Sequence, residues 1–342
     1  MELVKDDTPP RACVVCGVCG GAILWKGIAA VRMAPRTLLV RGAVGWQGLV
    51  TGGRHPKRRE ARVAAPYQYR PVLFFVATFV ATWVPWLIGA YLARDPGPQG
   101  SISPFGYVGL LGPLVVSLAL ILFSRSKTLK ADFRRRFDPR RIRPAYLGVA
   151  VAIPTGLMYL GILVSLLFGE SADQLRMSRD ANLVGMIVLA MILAPIIEEI
   201  SWRGYGVDSL RARLGGLSST VLFGVLWSLW HLPLMLLPGT YQHELATIGE
   251  PLFLANFFVS AVPAAILANW LYYRNGRSIL IGVLFHAAAN AAAEVLSATQ
   301  VTKCIVTVLW LVVAVVVLVA DRTTFAAGPR TFVDDLRADR SG

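Results

Sequence analysis

Residues 183–203 read LVGMIVLAMILAPIIEEISWR. The run from Leu183 to Ile197 is apolar, and Glu198, Glu199 and Arg203 follow it directly. A helix needs ~20 mostly apolar residues to cross a hydrocarbon core of ~30 Å. On that scale the stretch is a membrane span with charge inside it. Insertion scales put an acidic or basic residue near a helix centre at about 2.5–3.5 kcal/mol unfavourable, so these side chains need partners or a task.

Blocks of the same kind recur on both sides. Spans are expected at about 71–92, 104–124, 145–168, 182–203, 216–237, 251–273, 278–298 and 301–320. The whole chain is 55% hydrophobic and 16% charged, against ~25% charged in ordinary soluble domains. The expected fold is therefore all-α, a polytopic transmembrane bundle of about eight helices.

A net charge of +14 raises the question of nucleic acid. The distribution of the charge excludes it, because the basic residues lie between apolar blocks. Arg125 to Arg143 holds nine Lys or Arg in nineteen positions, as a cytoplasmic loop does under the positive-inside bias. Anionic lipid headgroups are a sufficient partner for that charge. The basic segment Lys57 to Arg70 places the N-terminus inside. Alternation then puts the loop with Glu244 and Glu250 outside and returns the C-terminal tail to the cytoplasm, as expected for an integral protein of a bacterial plasma membrane.

Residues 1–66 differ from the rest. They are rich in Gly, Ala and Arg and hold no span of adequate length. They are expected to be a basic, disordered extension, or the result of a start placed upstream of Met33. Cys13, Cys16 and Cys19 carry double CxxC spacing, but no fourth ligand lies nearby and His55 is distant. The expected domains are this extension, a membrane domain over 67–322 with its motif core at 180–295, and a cytoplasmic tail over 323–342.

Three spans bring polar groups into the apolar region: Glu198, Glu199 and Arg203 on the fourth, His231 on the fifth, and His286 with Asn290 on the seventh. Glu199 and Arg203 are four residues apart with the acid first, the favourable order for a self-neutralising pair. Glu198 points about 100° away and is the carboxylate left for proton chemistry. Trp227 stands four residues before His231, so its ring can hold that imidazole in place. Glu294 falls near the outer end of its span and is expected to be solvated. A carboxylate with an imidazole can deprotonate water, and an imidazole with an amide can stabilise an oxyanion. Glu198, His231 and His286 could instead hold a divalent metal such as zinc, although no HExxH motif is present.

These residues resemble the CPBP or Abi family of intramembrane proteases, which includes CAAX prenyl endopeptidases and bacteriocin-processing enzymes. The family's EExxxR motif reads Glu198-Glu199-Ile200-Ser201-Trp202-Arg203. Its FxxxH motif reads Trp227-Ser228-Leu229-Trp230-His231, followed by Pro233, and its HxxxN motif reads His286-Ala287-Ala288-Ala289-Asn290. Trp227 stands where the pattern has Phe. The resemblance implies an intramembrane endopeptidase acting on membrane-associated or lipid-proximal peptides or proteins. By the family pattern, Glu198 is the base, His231 positions the water, His286 and Asn290 stabilise the oxyanion, and Glu199 and Arg203 shape the site. A prenylated substrate is not carried over.

Other readings stand beside this one. Glu199 with Arg203 could be a structural ion pair, and His286 with Asn290 a helix-joining hydrogen bond. The chain could be a non-catalytic scaffold or immunity protein of the same fold. It could also be a proton-coupled transporter, although no internal repeat is evident. One geometric difficulty accompanies the protease reading. The expected boundaries put Glu198 near the inner end of its span and His231 near the outer end of the next. The fifth span must be short, with Pro233 ending it, or a helix must be tilted or re-entrant.

Overall fold

The computed structural model describes residues 67–93, 103–177, 187–332 and 334. Cys13, Cys16, Cys19 and His55 lie outside them. Helices account for most of the described chain, and the described residues pair as strands only at an isolated bridge between Met177 and Leu296. The expected all-α polytopic bundle is what is found.

Among the described residues, six helices are long and apolar enough to cross a membrane: Pro71–Leu92, Pro104–Leu122, Pro144–Leu166, Gly216–Leu236, Pro251–Arg274 and Gln300–Ala320. The first, α1 (Pro71–Leu92), packs on α2 (Pro104–Leu110) and α3 (Gly112–Leu122). The contact is close because Gly109 has no side chain. A Cβ there would lie 2.3 Å from the Trp86 indole. Between the second and third spans lies α4 (Lys127–Arg135), a short helix of the basic loop, and α5 (Pro144–Leu166) follows.

The surface of this bundle is inverted relative to a soluble protein. Val308, Leu311, Val312, Val315, Val316 and Val319 are exposed on one long helix, and Val72, Val76 and Val80 on another. Thr78, Thr82, Ser117 and Ser165 are fully buried between helices. Apolar groups outward and small hydroxyls inward suit a hydrocarbon solvent, where packing and interhelical hydrogen bonds replace the hydrophobic drive. The chain is an integral membrane protein.

The fourth expected span is a broken helix. A wide π-helical turn, Ile187–Leu193, leads into α6 (Ala194–Ser201). A second π turn, Trp202–Gly206, leads into α7 (Val207–Arg211). Pro195 has no N–H for a carbonyl four residues earlier and its ring crowds that carbonyl, which accounts for widening just before it. After this come α8 (Gly216–Trp230), a 3₁₀ turn over Leu232–Leu236, α9 (Tyr241–Ile248), α10 (Pro251–Arg274), α11 (Ile279–Glu294), α12 (Gln300–Ala320) and α13 (Arg322–Ala326).

The end of the bundle nearest α4 is closed by a buried charged network. The guanidinium of Arg136 donates to the carbonyl oxygens of Arg203, at 2.6 Å, and Gly204, at 3.1 Å. These carbonyls lie in the second π turn, where the regular helical ladder is interrupted. Arg136 also pairs with Asp132 at 2.5 Å and Asp208 at 2.9 Å, and Arg277 pairs with both acids. Burial opposes charge on Asp132, but Arg136 and Arg277 outweigh it and hold its pKa at about 2. At the same end Arg211 donates to the carbonyls of Leu214, Ala327 and Gly328, and Phe332 packs against the rings of Tyr67 and Tyr69.

Candidate active site

Glu198 and Glu199 are neighbours on α6, both buried, with different partners. One oxygen of Glu198, Oε2, accepts the indole N–H of Trp202 at 3.2 Å and that of Trp227 at 2.8 Å. Trp202 is one turn along the same helix, while Trp227 reaches across from α8. The Trp202 ring is itself fixed in an aromatic core, stacked on Phe75 and set edge-on to Phe74, Phe223 and Trp230.

Glu199 faces α11. Its Oε1 accepts from Arg203 at 2.7 Å and from Nδ1 of His286 at 3.0 Å. The other oxygen, Oε2, is buried without a hydrogen-bond partner, as are Nε and one terminal nitrogen of Arg203. Gly282, one turn before His286, makes room for this carboxylate, since a Cβ there would sit 2.6 Å from Glu199 Oε2. The Arg203 guanidinium also lies over the Phe223 ring, 5.1 Å from its centroid.

His231 is the residue on which α8 ends. Its Nδ1 lies 2.8 Å from the carbonyl oxygen of Trp227. A carbonyl only accepts, so Nδ1 carries the proton and Nε2 of the neutral ring is an acceptor. Trp230 and Phe257 flank the imidazole edge-on at 4.7 and 5.4 Å. The Trp227 ring lies 6.0 Å from His231 and 5.4 Å from His286. One indole therefore touches Glu198 and both histidines. Asn290, half-buried, stands one turn beyond His286 on α11.

A family model for Rce1-like type II CAAX prenyl endopeptidases matches residues 180–292. A CAAX prenyl protease 2 of Methanococcus maripaludis is 34% identical over 265 residues, which cover 76% of this chain and 97% of that protein. The chain belongs to this family.

It is a CAAX prenyl protease-like intramembrane endopeptidase, and all of Glu198, Glu199, Arg203, Trp227, His231, His286 and Asn290 lie within the matched region. The geometric difficulty raised by the sequence is resolved by the fourth segment, which does not end at residue 203 but runs on to Arg211, so that Glu198 lies well away from its end. On α8, which stops at Trp230 with Pro233 in the 3₁₀ turn that follows, Trp227 is level with Glu198. The expected pairing of Glu199 with Arg203 is present, and His286 joins it.

Several details differ from expectation. Glu198, which stands outside the Glu199–Arg203 pair, also accepts from two indoles, which the sequence did not foretell. His231 is anchored by the backbone oxygen of Trp227 more than by its ring. Glu294, expected to be solvated, keeps a quarter of its side chain exposed and in addition pairs with Lys303 at 3.3 Å. Among the described residues, no three His, Cys, Asp or Glu side chains are grouped to hold a metal ion. Trp202 and Gly282 were not singled out from the sequence. The signal was available for both: each stands four residues from a candidate, Glu198 or His286, and so shares its helix face.

Proposed function

We propose that this protein hydrolyses peptide bonds near the free C-termini of membrane-anchored peptides, using a water activated by Glu198. The observation that carries this reading is the placement of Glu198. Two indole donors fix one of its oxygens, leaving the other to receive a proton in a defined direction. Membership of the CAAX prenyl endopeptidase family supports the substrate class. A CAAX sequence is C-terminal, and its Cys is the residue that becomes prenylated.

In the proposed sequence Glu198 takes a proton from the water, and the hydroxide so formed attacks the scissile carbonyl carbon. The bare Nε2 of His231 accepts the water's second hydrogen and aims its lone pair. The amide of Asn290 donates to the developing oxyanion, and His286 donates as well when both its nitrogens carry protons. The tetrahedral intermediate collapses with cleavage of the C–N bond, and the proton on Glu198 passes to the leaving amine. Glu199 and Arg203 keep His286 in place. No step passes through a metal.

In the proposed orientation, taken from the positive-inside bias, α4 and the closed charged network face the cytoplasm. His231, α9 and the end of α11 then lie towards the opposite side. Ile248, which is 51% exposed, replaced by cysteine in a chain lacking the native cysteines, should react with an impermeant maleimide in intact cells. Reaction only after lysis would reverse this orientation. For the activity itself, the purified protein is given lipid-anchored and unanchored versions of one C-terminal peptide, and the fragments are weighed by mass spectrometry. Cleavage within a few residues of the C-terminus, preferring the anchored peptide, is expected. Cleavage at random internal bonds would contradict the reading.

A further inference from the structure

The outer end of the candidate site holds a charged pair outside the family match, which ends at residue 292. Lys303 is the one charged residue of α12, and Glu294 the one charged residue of α11. Their side chains approach to 3.3 Å and remain 13% and 25% exposed. The Lys303 ammonium also lies over the Tyr241 ring, 4.4 Å from its centroid. Tyr241 is held to α12 by a hydrogen bond from its hydroxyl to Gln300 at 2.9 Å. A line of rings runs from there to the site: Tyr241 packs on Phe257 at 6.1 Å, and Phe257 on His231 at 5.4 Å.

Stability alone is a poor reason for this arrangement. A buried ion pair gains little over apolar residues of the same size, because desolvation offsets the attraction. The rest of α12 is apolar or hydroxylic, and its start is already anchored by Gln174, which accepts from Thr299 and Thr302. An ammonium has three donors on one point charge, and here it retains some access to solvent.

Position suggests the task. His286, Asn290 and Glu294 follow one another at four-residue intervals on one face of α11. At a rise of 1.5 Å per residue, Glu294 is about 6 Å beyond Asn290 and about 12 Å beyond His286. Three extended residues reach at most ~10 Å. A peptide whose scissile carbonyl sits at His286 and Asn290 would bring its terminal carboxylate, two or three residues on, to the level of Lys303.

We propose that Lys303 is a specificity residue that binds the free α-carboxylate of the substrate, so that the enzyme measures its cut from the C-terminus. The inference rests on the protease reading above and adds a recognition site to it. Glu294 holds the ammonium in place when the site is empty and competes with the incoming carboxylate.

The test uses the purified full-length protein and one lipid-anchored peptide made twice, as the C-terminal acid and as the C-terminal amide. Wild type should favour the acid in kcat/KM by about tenfold or more, the value of a charge-assisted hydrogen bond. Lys303→Met should lower kcat/KM for the acid by about that factor and bring the acid-to-amide ratio close to one. Glu294→Gln, which removes the competing charge, should raise the ratio, and it serves as the deciding variant if Lys303→Met does not fold. Equal cleavage of acid and amide by wild type, or a ratio unchanged in both variants, overturns the proposal. Glu198→Gln is the blank in every arm: if neither peptide shows cleavage sensitive to it, the protease reading itself fails.

Discussion

Trp227 on α8 donates its indole N–H to Glu198 on α6 across 2.8 Å. This bond joins two segments whose meeting was in question from the sequence, and it fixes the direction of a buried carboxylate. The same ring lies against His286 and His231, so a single aromatic side chain aligns the components of the proposed site.

Replacing Trp227 with Phe keeps the ring and removes the donor. Trp202 still holds Glu198 Oε2, so activity should fall without vanishing. A loss of about tenfold in kcat is expected, as for one hydrogen bond to a charged group, with the melting temperature nearly unchanged. Steady-state cleavage and thermal unfolding of the same preparation measure both. Unaltered kcat would mean that the indole does not orient the carboxylate.

The two adjacent glutamates should separate cleanly in stability. Glu199→Gln leaves Arg203 buried beside a neutral amide and deprives His286 of its partner. Breaking such a buried pair costs about 3–5 kcal/mol. Glu198→Gln removes a charge that is held only by neutral indoles, so it should leave stability the same or raise it. Thermal melts in one detergent compare the two, and equal destabilisation would contradict the division of roles.

Acid should loosen the closed end of the bundle. Asp132 has its pKa lowered from an ordinary 3.8 to about 2, with Arg136 and Arg277 overcoming the effect of burial. Asp321 is lowered to about 2 as well, with hydrogen bonds from Arg274, Thr323, Thr324 and Trp270 overcoming burial. A depressed carboxylate stabilises the fold fully above its unfolded pKa and loses that contribution as pH falls through its folded value. Stability should therefore be flat above pH ~5 and fall between roughly pH 4 and 2. Asp132→Asn should cost at least about 2 kcal/mol at pH 7 and shrink the acid-dependent loss. Melts across that pH range in wild type and variant would show it, and parallel curves would count against it.

The long spans were legible because length and hydropathy alone determine them; Pro71–Leu92 begins and ends where the apolar run does. The candidate residues were legible through four-residue spacing, which correctly paired Glu199 with Arg203. What the sequence concealed were relationships between helices. Spacing on α8 cannot reveal that Trp227 reaches Glu198. Nor does the sequence around Gly282 show that a carboxylate from another helix occupies the space beside it. The pairing of Glu294 was hidden because its partner, Lys303, comes after a turn and on the next helix. The π turns around α6 follow from Pro195 on one side, but the turn at Trp202–Gly206 is supported by Arg136, far away in the chain.

The central claim is that Glu198 is the base that activates water. The most direct measurement is cleavage of a quenched-fluorescence, lipid-anchored C-terminal peptide by purified wild type and Glu198→Gln, with unfolding followed on the same samples. The account predicts turnover by wild type and a loss of about 10³-fold or more in Glu198→Gln, a general-base effect of 10²–10⁴-fold, at equal or higher stability. Turnover by a stably folded Glu198→Gln at a rate near that of wild type would contradict it.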